Sequence, residues 1–123
     1  MYSEKIDELI GKTMTKVVEN GDELTFYCES GEKYRFYHYQ DCCEHVVIED
    51  ICGDLNDLVG SKTLNAEEVY NERLVAQWDE GRSFNESHTW TFYKFATLKG
   101  YVDVRWLGES NGYYSESVSF CKL

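Results

Sequence analysis

The 123-residue sequence has no proline, only two methionines, and only 12 lysine and arginine residues against 23 aspartates and glutamates. Each shortage excludes something. Without proline there is no polyproline stretch or proline-rich linker, and no low-complexity tract or internal repeat divides the chain. The shortage of basic residues leaves a formal net charge of -11. That charge repels a phosphate backbone instead of neutralising it, which argues against direct nucleic-acid binding. No run of about 18 apolar residues occurs, as a membrane-crossing helix would need. The N-terminal MYSEKIDELIG has neither a basic region nor an apolar signal core. The expectation is therefore a cytoplasmic protein, in which the five cysteines, Cys28, Cys42, Cys43, Cys52 and Cys121, stay free thiols.

What is present is enough for a core. Hydrophobic residues make up 42% of the chain and aromatic residues 15%, so the low mean hydropathy reflects surface charge rather than disorder. A chain of this length buries roughly two thirds of its unfolded surface, and residues 1–123 read as one domain.

In chain order, Ser3 is placed to cap a short helix through Ile10, with Gly11 ending it. Thr13 to Glu19 and Leu24 to Cys28 flank Asn20-Gly21 as a hairpin. Lys33 to Tyr39 alternates Tyr34, Phe36 and His38 with Arg35, Tyr37 and Tyr39, which reads as a central strand covered on both faces. Val46 to Ile48 is a short strand, Asp54 caps a helical turn near 54–59, and Leu64 to Tyr70 is a further strand. Asn71 to Ser87 reads as the longest loop, with Trp78 as its anchor.

The stretch from Trp90 to Phe120 holds two of the three tryptophans. It reads as three strands joined by turns at Lys99-Gly100 and around Glu109 to Gly112, with Val102, Val104 and Trp106 on one face. The expected architecture is mainly β with a minor helical part: an antiparallel sheet or small β-sandwich of about 7–8 strands. It is built from hairpins and a C-terminal three-stranded meander, with a short N-terminal helix.

Four constellations bear on chemistry. Gly108-Glu109-Ser110-Asn111-Gly112 fits the G-x-S-x-G pattern of a hydrolase elbow. All three histidines precede the serine and strand-like sequence follows it, so a hairpin turn accounts for it better and no catalytic residue is assigned. His38, Asp41, Cys42, Cys43, His45 and Cys52 are the densest set of metal-ligand types. Adjacent Cys42 and Cys43 lack the two-to-four-residue spacing that folds a pair onto one ion, so neither a metal nor another cofactor is expected. Asp41, Glu44, Glu49, Asp50, Asp54 and Asp57 lie in a run with no lysine or arginine, and they form a candidate acidic face for a protein partner with a basic surface. Within that run Asp50 and Asp54 are also candidates to cap turns. Arg105, Glu109, Asn111, Tyr113 and Glu116 cluster around one hairpin end as a candidate pocket for a nucleotide-like anion, the competing account being an ion pair of Arg105 with Glu116 or Asp103. Asn85-Glu86-Ser87 fits a glycosylation acceptor that a cytoplasmic protein would not use.

The blocks DCCEHVVIEDICGDLNDLVGS and HTWTFYKFATLKGYVDVRWLGESNGYYSESV resemble a family of small uncharacterised domains found in phages, prophages and bacteria. The family carries no established activity, so the resemblance lends no catalytic residue. What it implies is a phage accessory protein acting against a host defence system. Combined with the acidic run, the expectation is a non-enzymatic inhibitor or adaptor. The alternatives are a protein that sequesters a small nucleotide-like ligand, with a homo-oligomer as its natural setting, and an uncharacterised enzyme or metal-binding domain.

Overall fold

The computed structural model describes residues 5–40, 43–74, 87–110 and 116–123, without the side chains of 70–74 and 87. Eight strands follow one another: β1 (Met14–Asn20), β2 (Glu23–Cys28), β3 (Lys33–Tyr37), β4 (His45–Cys52), β5 (Asn65–Leu74), β6 (Ser87–Thr97), β7 (Gly100–Ser110) and β8 (Ser119–Lys122). They form two four-stranded sheets in the orders β1-β2-β3-β8 and β4-β7-β6-β5. All strand pairings within them are antiparallel.

Local chemistry sets the hairpins. Asn20 pairs with Glu23, leaving Gly21 and Asp22 as a two-residue loop. Gly21 has φ 62°, the positive value that the first central position of a tight hairpin turn demands and that glycine supplies without a Cβ clash. Thr97 pairs with Gly100, so the β6-β7 loop is Leu98-Lys99, and the two strands stay in unbroken register as far as Ser87 and Ser110.

The sheets face each other through aromatic rings. Phe26 of β2 lies 5.1 Å from Phe95 of β6, and Phe36 of β3 lies 4.7 Å from Tyr93 of β6. Val102, Val104 and Trp106 of β7 are fully buried and complete the inner layer, as their alternation predicts. Burying each such phenylalanine contributes about 1.5–3 kcal/mol, which makes this ring cluster the main cohesive element. Two single turns of 3-10 helix, Ile6–Leu9 and Leu55–Leu58, bury Leu9 and Leu58 at the margins.

Several expectations change. The first helical element is a 3-10 turn whose N-cap position is Lys5, with no capping side chain; Ser3 lies outside the described residues. The C-terminal meander divides: β6 and β7 form a hairpin, but β8 pairs with β3 in the opposite sheet. That crossing carries Phe120 into the ring cluster, 4.5 Å from Phe36. β3 is flanked by strands on both sides, yet only its Tyr34 and Phe36 face is covered, while Arg35 and Tyr37 are half-buried on the outside. Of the expected long loop, residues 71–74 extend β5; the rest, including Trp78, lies outside the described residues. Cys28, Cys52 and Cys121 are free thiols, but Cys43 is engaged in a disulfide. Compartment chemistry governs which disulfides persist, not which sulfurs the fold brings together.

Candidate functional site

Two acids of the run, Glu49 and Asp50, lie exposed on an edge strand. β4 is an edge strand, and its register against β7 slips between Ile48 and Asp50, where Ile48 pairs with Trp106 and Asp50 with Arg105. The extra residue, Glu49, makes this a β-bulge. Strand residues normally alternate between faces, but here Ile48 and Ile51 both pack on the core while the two carboxylates between them stay exposed on the outer side. Asp22 Oδ1 accepts from the Ile48 N–H at 3.1 Å and ties the β1-β2 turn to the bulge. Charges and a bulge also protect an edge strand from pairing with other chains, so part of this arrangement is protective.

Arg105 is the cation of this surface. Its Nε donates to Glu49 Oε1 at 2.8 Å, its Nη2 donates to the same oxygen, and Asp50 lies 3.8 Å away. These carboxylates hold the guanidinium above its ordinary pKa, with the Glu49 hydrogen bond the largest cause. The guanidinium also lies over the Trp90 ring, its central carbon 5.4 Å from the ring centroid. The cross-strand ion pair anticipated for Arg105 therefore forms with Glu49 and Asp50 rather than with Glu116 or Asp103. Asp50 also raises the pKa of the exposed Cys52 thiol, 3.6 Å from it. Beyond the bulge, Asp54 accepts from the Asn56 N–H at 2.9 Å and caps the second 3-10 turn, as its position predicts. Asp57 is half-buried, and a Cβ added at Gly100 would lie 3.1 Å from its Oδ2.

Two members of the expected sets are not on a surface. Glu44, expected on the acidic face, has a fully buried side chain. Its Oε2 is 2.7 Å from His38 Nε2, and His38 Nδ1 is 2.7 Å from the Ser117 carbonyl. A carbonyl only accepts, so Nδ1 is the donor in that contact. Pairing with the imidazole offsets the cost of burying the Glu44 carboxyl group. Glu116, expected in an anion pocket, is also buried, and it accepts from Thr89 Oγ1 at 2.8 Å and from Ser110 Oγ. A Cβ on Gly108 would lie 2.6 Å from the Glu116 carbonyl oxygen. Both acids are thus consumed at one end of the sandwich.

Glu109 is half-buried, 3.4 Å from His88 Nε2. Asp41, Asn111 and Tyr113 lie outside the described residues. The structure thereby brings Arg105 of the expected pocket together with Glu49 and Asp50 of the expected acidic face, and separates Glu44 and Glu116 from both. Among the described residues, no three histidine, cysteine or acidic side chains converge as metal ligands. Gly108 to Ser110 of the G-x-S-x-G pattern is regular strand.

A further concavity has no counterpart among the sequence motifs. A cavity of about 560 Å³ opens between β5 and β8, lined by Ile6, Asp7, Glu67, Glu68, Tyr93 and Phe120 among others. The buried Tyr93 hydroxyl donates to Glu68 Oε2 at 2.8 Å. Burial, more than Glu68, raises the Tyr93 pKa. No short motif signals this site, because its walls come from strands far apart in sequence.

The chain belongs to the family described as a domain of unknown function, DUF7448, whose family model matches residues 7–120. No curated protein and no solved structure matches it. Among the described residues, no helix is long and apolar enough to cross a membrane.

Proposed function

We propose that this protein is a non-enzymatic binding module that docks on a basic surface of a partner protein through its β4 edge. The observation that supports this reading is the bulge, which turns Glu49 and Asp50 outward together, with the exposed Asp54 four residues further along the chain. Arg105 offsets part of that charge and fixes the geometry of Glu49, so the rim is a preorganised carboxylate surface rather than a loose acidic tail. Glu44 takes no part, being spent in the core. The net charge of -11 adds long-range attraction to a cationic partner and repulsion from nucleic acid.

In this reading the biological setting is the one its sequence resemblance implies: a phage or prophage accessory protein, acting in the host cytoplasm on a nucleic-acid-binding defence protein whose basic groove the rim occupies. Capture from host extract at low and high salt tests it. Retention of a basic protein at low salt alone is expected, and salt-insensitive retention speaks against the reading.

A second reading, sequestration of a small ligand, draws support from the β5-β8 cavity, whose size suits one. Its three lining acids, Asp7, Glu67 and Glu68, against one lining lysine, Lys5, favour a cation over the nucleotide-like anion expected from Arg105. A thermal-shift panel of amines and nucleotides separates the two, and no shift with either class removes this reading.

A further inference from the structure

One surface runs against the overall charge. The register of the β1-β2-β3-β8 sheet puts Lys16, Tyr27 and Lys33 in one cross-strand row on its outer face. The Lys16 ammonium stands 4.9 Å from the Tyr27 ring centroid and the Lys33 ammonium 5.6 Å. Two residues along β3 and on the same face, the Arg35 guanidinium lies 5.6 Å from the Tyr37 ring. Lys16 and Lys33 are exposed, and Tyr27, Arg35 and Tyr37 are half-buried. Among strand residues on this face Glu23 is the one carboxylate, 3.6 Å from Arg35. Lysines lying over tyrosines are ordinary surface features when isolated. Three such contacts on one face, in a chain with 12 basic and 23 acidic residues, form a cationic island.

We propose that this face docks a short acidic polypeptide segment in extended conformation. Lys33 and Arg35 are alternate residues of one strand, so their side chains project about 7 Å apart. Carboxylates at alternate positions of an extended peptide have the same spacing, and Lys16 lies two strands further across the face. Glu23 on Arg35 is the chain's own example of the contact. Single-stranded nucleic acid fits less well for two reasons. The ring faces on which bases would stack are covered by cations. In addition, a nucleic-acid strand longer than the island would run onto a molecule of net charge -11, whereas a short peptide places its charges only over the cations.

The test uses the full chain and a fluorescein-labelled hexaglutamate peptide, read by anisotropy in about 50 mM salt, where exposed charges are weakly screened. Saturable binding is expected, weakened at least about tenfold by K33E/R35E and by raised salt. The control K62E/K94E changes the net charge by the same amount on residues outside this face and is expected to leave binding within about twofold of wild type. Circular dichroism establishes that both variants are folded. Absence of hexaglutamate binding, equal losses in the two variants, or tighter binding of an oligothymidylate of equal charge overturns the proposal.

Discussion

His38 Nε2 and Glu44 Oε2 meet at 2.7 Å with both side chains almost wholly buried, joining the chain just after β3 in one sheet to the chain just before β4 in the other. Removing one partner leaves a polar or charged group stranded in the core. Glu44→Ala is expected to cost about 3–5 kcal/mol in urea unfolding. A double-mutant cycle with His38→Ala should return a favourable coupling energy, and additive losses would show that the pair is incidental.

Gly108 sits where β7 runs beneath Glu116, with the Glu116 carbonyl oxygen 2.6 Å from the position of an added Cβ. Backbone cannot yield as a flexible side chain can. Gly108→Ala should therefore destabilise by about 1–3 kcal/mol in the same assay, and an unchanged midpoint would contradict the close packing of this end.

Tyr93 and Tyr34 are buried, and burial is the leading cause that raises both phenol pKa values above the ordinary 10.0. The sign follows from linkage: a raised folded-state pKa gives stability that is complete below the unfolded value and lost as pH climbs from there toward the folded value. Melting temperature should therefore fall once pH passes 10.0. Difference absorbance at alkaline pH should show these two phenols ionising only as the protein unfolds. Full reversible ionisation of every tyrosine in the folded state would contradict this.

Cys52 is an exposed free thiol whose pKa Asp50 raises. The thiolate is the reactive species, so its reaction with a disulfide reagent near neutral pH should be slow for an exposed cysteine. Asp50→Asn should accelerate the phase that Cys52→Ser removes. An unchanged rate would detach Asp50 from the thiol.

The features legible in the sequence are those set by neighbours along the chain. Asp54 caps the residue two places on, Gly21 supplies a turn's positive φ, and Val102, Val104 and Trp106 follow the two-residue period of a buried face. What the sequence hid depends on distant partners. The alternation around Phe120 marks a strand but not its sheet, and it is the packing of Phe120 on Tyr34 and Phe36 that rewards the crossing to β3. Glu44 reads as a surface acid until His38 and the Ser117 carbonyl are placed around it. The bulge had a signal that alternation alone overlooks: Ile48 and Ile51 are three apart, so one register step had to be absorbed between them.

The proposed docking of the β4 rim on a basic protein surface is tested by quantitative capture from host extract with wild type and with E49K/D50K/D54K, at low and high salt. Wild type should retain a basic protein at low salt, raised salt should release it, and the charge-reversed variant, folded by circular dichroism, should retain at least about tenfold less. Equal retention by the two proteins, or retention that salt does not weaken, would contradict that docking.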